Sequence, residues 1–168
     1  MSLTLYLLRH AKSGKDNPRL ADIDRPLNER GRYEAQAVAD HMAAHRHEPN
    51  RILCSSSQRT RETLMPILQG LRNNATIELT RRMYDASAET LFDVIREQED
   101  TPSLMLVGHN PGLEELARRL PSAGDPSLLS RLGAMFPPAS LAVIEFDIAG
   151  WHEMRLGTGS LIAFECPD

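Results

Sequence analysis

The sequence has little of what would commit it to a specialised class. Its two cysteines, Cys54 and Cys166, cannot build a disulfide framework. Both lie in apolar or strand-like surroundings, so free thiols in a reducing compartment are expected. No apolar stretch reaches the ~18 residues of a membrane span. The opening MSLTLYLLRH has no basic segment before its short apolar run and no small-residue cleavage pattern after it. No signal peptide is therefore expected, and a soluble, cytoplasmic protein is. Basic charge is not in excess either: 23 acidic residues face 19 basic ones, for a formal net charge of -4. Such a chain has no global field to hold DNA or RNA, so any anion it binds must be held by a local cluster of Arg or Lys. Internal repeats and low-complexity tracts are also missing.

What is present is ordinary globular material. With 168 residues, 41% hydrophobic and 25% charged, one domain spanning 1–168 is expected. A domain of this size buries about 68–70% of its unfolded surface. Leu3 to Leu8 reads as a buried strand. A polar loop follows to about Asn28. Ala35, Val38, Ala39 and Met42 then recur on one face of a helix from Glu29 to His45. Strands are expected at Ile52–Cys54, Thr76–Leu79 and Ser103–Val107. Helices are expected around Leu64–Leu71, where Pro66 should kink or restart the helix. Another, capped by Ser87, should carry Leu91, Val94 and Ile95 on one side, and a further one should run over Leu113–Leu120 and end at Pro121. Ser122 to Arg131 fits a short helix or a loop. The last third reads as three strands, Ser140–Phe146, Trp151–Leu156 and Leu161–Glu165, with Ala149-Gly150 as a turn. This order predicts an α/β three-layer sandwich, its mainly parallel central sheet carrying antiparallel edge strands at the C-terminus.

In sheets of this kind, sites form beyond the C-terminal strand ends. Arg9-His10 follow the first strand. Ser55 to Gln58 and then Arg59 follow the second. Gly108-His109-Asn110-Pro111-Gly112 follow the strand ending at Val107. If those strands are neighbours, two histidines and two arginines converge. The set suits a phosphoryl group: guanidinium forks match phosphate oxygens in pairs. Two arginines and a protonated histidine can hold a dianion as charge spreads in the transition state. A neutral histidine can attack phosphorus through one ring nitrogen while the other donates to a backbone carbonyl that fixes the tautomer. The helix start after Gly112 could add N–H groups.

Four segments carry a family resemblance. Leu8-Arg9-His10-Ala11 resembles the Arg-His-Gly signature of the histidine phosphatase (phosphoglycerate mutase-like) superfamily. Arg25-Pro26-Leu27-Asn28-Glu29-Arg30-Gly31 resembles its RPLtxxG segment. Ser55 to Thr63 resembles its Ser-x-x-x-Arg-x-x-x-Thr segment, and Val107 to Gly112 its second-histidine segment. The short length and Met83-Tyr84-Asp85-Ala86-Ser87 are most similar to the small SixA-type branch. The resemblance implies a three-layer fold, a covalent phosphohistidine intermediate, and no metal or other cofactor. It carries over His10 as nucleophile and Arg9, Arg59 and His109 as phosphate ligands, with Ser13 where many members have a phosphate-contacting serine. Ala11 departs from the usual glycine. For the general acid, members place a Glu or Asp between Arg59 and His109. Tyr84, Asp85 and Glu89 are the candidates here, Asp85 and Glu89 standing equal, although Glu89 also suits a first helical turn. A P–N bond to imidazole needs less help from an acid than an alkoxide does. Protein phosphohistidine in a signalling partner is thus the first expectation for substrate. A broad phosphomonoesterase, a mutase-type transferase and a non-catalytic phosphate-binding module are the alternatives. Mutases are usually longer, and a binding module need not keep the nucleophile.

Other chemistries fit less well. A cysteine phosphatase loop needs five residues between Cys and Arg, and Cys54 and Arg59 have four between them. No Gly-x-Ser-x-Gly surrounds Ser55–Ser57 or Ser160. Lys12-Ser13-Gly14-Lys15 lacks the upstream glycine of a phosphate-binding loop. His41 and His45, with His47, have metal-like spacing but no acidic partner motif, so a solvated or half-buried helix face is expected.

Overall fold

The computed structural model describes residues 2–167. Its centre is a strand, Leu3–Arg9 (β1), whose side chains alternate between two cores. Leu3, Leu5 and Leu7 point to one, Tyr6 and Leu8 to the other. The remaining strands are Arg51–Ser55 (β2), Thr76–Thr80 (β3), Ser103–Gly108 (β4), Pro121–Gly124 (β5), Leu141–Phe146 (β6) and Gly159–Glu165 (β7). Across the sheet they run β3-β2-β4-β1-β6-β7-β5. Among the described residues, β6 alone runs against the other strands. Strands buried on both faces must be apolar throughout, and β4 is buried along its whole length.

Helices Glu29–Ala44 (α1) and Gln58–Gly70 (α2) cover the face carrying Tyr6, Leu8, Met105 and Val107. Helices Ala88–Arg96 (α3), Gly112–Arg119 (α4) and Pro126–Ala134 (α5) cover the face carrying Leu5, Leu7, Leu104 and Leu106. Three layers result, as expected. No helix among the described residues is long and apolar enough to cross a membrane.

Several local readings change. α2 begins at Gln58, where the Ser57 side chain accepts from the Thr60 amide, and it runs unbroken through Pro66. The proline removes one helical donor, but Leu64 and Ile67 hold the helix to the sheet on either side. The stretch after Pro121 contains both α5, capped by Asp125, and a preceding strand, β5. Trp151 to Leu156 is not a strand. Trp151–Glu153 form a 3-10 turn, because the two fully buried side chains, Trp151 and Met154, are three residues apart. Trp151 Nε1 donates to the Thr101 carbonyl at 3.0 Å. The antiparallel partner of β6 is therefore β7, and β5 takes the outer edge.

Register is what positions the site. Arg9 lies beside Gly108, and Cys54 beside Val107. The chain thus leaves β1, β2 and β4 at one level, with His10, Ser55 and His109 next in line. Two glycines let outer segments close on this level. A Cβ on Gly31 would stand 1.9 Å from the Lys12 carbonyl oxygen, and one on Gly112 would stand 2.0 Å from that of Ala86. Only glycine allows either approach.

Candidate active site

Three strand ends and one helix build the site. His10 Nδ1 lies 2.7 Å from the Ala11 carbonyl oxygen. A carbonyl can only accept, so Nδ1 bears the proton and Nε2 carries the lone pair. The His109 ring is 5.3 Å from that of His10, centre to centre. His109 Nε2 is 2.7 Å from Ser55 Oγ, and its Nδ1 is 3.4 Å from the Arg59 guanidinium. Arg59 can only donate, so Nδ1 accepts and the Nε2 proton goes to Ser55. Arg59 stands in the first turn of α2 and is almost wholly buried. Thr63, one turn on, donates to the Arg59 carbonyl and accepts from the Ala11 amide at 2.9 Å. The loop after His10 is thereby tied to the helix that carries Arg59. Arg9 donates to the Phe136 carbonyl at 2.9 Å. The Nε atoms of Arg9 and Arg59 are both buried with no protein partner, an arrangement suited to an anion between them.

Burial and positive neighbours set the protonation states. Burial pushes His10 down to about 4, helped by Arg59, Arg9 and Arg25 and opposed by its bond to Ala11. His109 is pushed down to about 3 by burial, then by His10 and Arg59. Both rings are neutral at pH 7. Burial is the larger cause in both, and the neighbouring guanidiniums act in the same direction.

The segments around this centre add residues that the sequence did not single out. Arg59 donates to the backbone carbonyl of Asp22 at 2.7 Å and to its carboxylate at 3.0 Å. Arg25 donates to the same carboxylate at 2.9 Å, and the Tyr84 hydroxyl does so as well. Hydrogen bonding from Tyr84, then from Arg25 and Arg59, holds Asp22 well below the usual carboxylate range. The Tyr84 ring meets His109 edge-on at 5.4 Å. Asp22 gave no signal in the sequence, where it is one of several acids in a polar loop. Arg25 and Thr63 lie within the quoted segments, and Ser55 directly follows a strand.

The expected residues divide. Arg9, His10, Arg59 and His109 converge. Ser13 accepts from Arg25 at 2.9 Å and reaches the group through it. Glu89 is exposed in the first turn of α3 and pairs with Arg119 at 3.3 Å. Asp85 is exposed, with φ of 48°. Neither carboxylate touches the four converging side chains; Tyr84 is the candidate that reaches them. Cys54 is buried and its thiol is pushed up to about 12, mainly by burial, so it is no thiolate nucleophile. His41, His45 and His47 cluster at the other end of α1, with His41 and His45 stacked at 4.1 Å. Among the described residues no group of three or more His, Cys, Asp or Glu side chains is arranged to hold a metal ion.

Comparison with known proteins places the chain in a family. The histidine phosphatase superfamily (branch 1) pattern matches residues 5–90. An uncharacterised protein of Mycobacterium tuberculosis is 32% identical over 164 residues, covering 95% of this chain and 99% of that protein. The structure of a SixA protein from Agrobacterium tumefaciens superposes with a TM-score of 0.82 at 35% identity, covering 99% of both chains. The protein histidine phosphatase SixA solved with tungstate shares the fold, with a TM-score of 0.71 at 20% identity and 96% coverage of each chain. The chain belongs to the histidine phosphatase superfamily, and within it to the SixA-type branch.

Proposed function

We propose that the protein is a phosphatase that works through a covalent phosphohistidine on His10, without a metal, and that its substrate is phosphohistidine on a signalling protein. The observation that carries this reading is the neutral His10 ring, its Nδ1 proton committed to the Ala11 carbonyl, set among Arg9, Arg25 and Arg59. A lone pair on Nε2 is what a nucleophile needs. In the first step Nε2 forms a bond to phosphorus and the bond from phosphorus to the substrate's ring nitrogen breaks; that ring, protonated on its other nitrogen, keeps the electron pair and leaves as neutral imidazole. The His10 ring becomes a phosphorylated imidazolium, its Nδ1–H still on Ala11. The arginines hold the phosphoryl oxygens, and the dianion draws onto His109 Nδ1 the second proton by which that ring donates to it. Water then attacks phosphorus, Nε2 departs with its electron pair, and dihydrogen phosphate leaves with both water protons.

The substrate class follows from the acid. An alkoxide must be protonated as it leaves, whereas imidazole leaves at neutral pH without a strong donor. Asp85 and Glu89 are remote, and the Tyr84 proton is engaged by Asp22. This arrangement suits a P–N bond better than an alkyl ester.

The test compares kcat/KM for a phosphohistidine-bearing phosphotransfer domain with that for alkyl phosphates, in chelator. A preference of about a hundredfold or more for the phosphoprotein is expected. Equal or reversed preference would overturn the substrate assignment, and activity that returned only with added metal would overturn the metal-free chemistry.

A further inference from the structure

The reaction above leaves one group at the site without a role, the carboxylate of Asp22. It lies on the polar loop between β1 and α1, in a 3-10 turn of residues Asp22–Asp24. Three donors fix it: Arg59, Arg25 and Tyr84. Arg59 is 4% exposed and Asp22 51%, so the carboxylate is the outer member of the pair. It stands between the guanidinium and solvent. Its charge is felt by His109.

The charges around the site can be counted. Arg9, Arg25 and Arg59 all act on His10, and they carry three positive charges. Asp22 carries one negative charge, and a phosphoryl dianion brings two. The sum is zero while both histidines are neutral, since Glu34 and Glu114, which also act on Arg9, are paired with Arg30 and Arg118. No positive charge is left over for a second anionic group on the substrate, and the group such a substrate would meet at the mouth is a carboxylate. A leaving group that is cationic when protonated, such as imidazolium, meets an attractive partner there instead.

We propose that Asp22 is a specificity-determining residue: its carboxylate, held over Arg59 at the mouth of the site, favours phosphoryl donors with a cationic leaving group and rejects those whose leaving group bears a carboxylate or second phosphate. The proposal rests on the reading of His10 as a phosphatase centre and extends it to substrate choice. Hydrogen bonds from Tyr84 and the two arginines keep the group ionised, so selection persists across the pH range in which the enzyme works. A half-exposed charge close to a leaving group, partly screened, changes the ratio of two substrates by about fivefold to tenfold per unit of leaving-group charge.

The experiment uses three aryl phosphates that differ only in one ring substituent: uncharged, carboxylate or trimethylammonium. kcat/KM is measured for the wild-type chain, Asp22→Asn and Asp22→Glu. The wild type should prefer the cationic substrate over the anionic one. Asp22→Asn should reduce that preference by about tenfold or more, and Asp22→Glu should keep most of it. If Asp22 only orients Arg59, Asp22→Asn lowers all three rates by one factor. If Asp22 only competes with phosphate for Arg59, the variant raises all three equally. Either uniform result overturns the proposal, as does an unchanged preference. None of the three substrates contains a P–N bond, so failure of the phosphohistidine assignment leaves this comparison intact.

Discussion

Lowering the pH charges histidines of the unfolded chain before it charges those at the site, and this makes folding itself a probe of the site. His10 titrates at about 4 when folded, against an ordinary 6.5. Between those values the unfolded chain binds a proton that the folded chain does not, so stability falls as pH drops through 6.5 and the loss levels off near 4. A tenfold change in proton affinity is about 1.4 kcal/mol, so the full displacement of His10 corresponds to about 3 kcal/mol. That is a large share of the roughly 5–15 kcal/mol that holds most domains together. His109 adds a loss of the same sign, but the repulsion between the two rings is common to both, so the contributions do not simply add. The assay is urea denaturation at pH 7.5, 5.5 and 4.5, for the wild type and for His10→Gln. The wild type should lose about 2–3 kcal/mol more than the variant over this range. Parallel losses would show that His10 is not held neutral, and the argument from burial and guanidinium charge would fail. Inorganic phosphate should offset the acid loss, since an anion at the site favours the charged rings.

Two further substitutions test the scaffold. Ser55→Ala removes the acceptor of the buried His109 Nε2 proton. It should destabilise the fold by about 1–3 kcal/mol and lower kcat/KM by about tenfold, read by denaturation and steady-state kinetics. An unchanged rate would separate His109 orientation from activity. Gly31→Ala drives a methyl group onto the Lys12 carbonyl. It should cost about 1–3 kcal/mol in stability and impair turnover by displacing the loop that follows His10. Wild-type values for both would refute the close-approach argument.

The parts of this protein that sequence reveals are those fixed by short-range pattern. The apolar run of β1 and the i, i+3, i+4 spacing in α1 follow from local geometry, and their ends lie within a residue or two of expectation. β5 does not, because Pro-Ser-Ala-Gly carries no apolar alternation and is drawn into a strand only by pairing with β7. The strand expected at Trp151–Leu156 fails for a related reason: Trp151 and Met154, both buried, sit at the period of a tight turn. The site divides in the same way. Arg9, His10 and His109 directly follow strands, and the pairing of β1 with β4 supplied the adjacency that the sequence left open. Arg59 was visible by its distance from β2. Asp22 was not, since its place over Arg59 depends on the path of a polar loop with no periodicity.

The most direct test of the account is a rapid-quench reaction with a radiolabelled phosphoryl donor, followed by peptide mapping. Wild-type protein should yield a phosphoenzyme that is labile in acid and stable in alkali, with the label on His10, and His10→Ala should yield neither label nor turnover. An active enzyme that never carries the label, or one that carries it on another residue, would contradict His10 as the nucleophile.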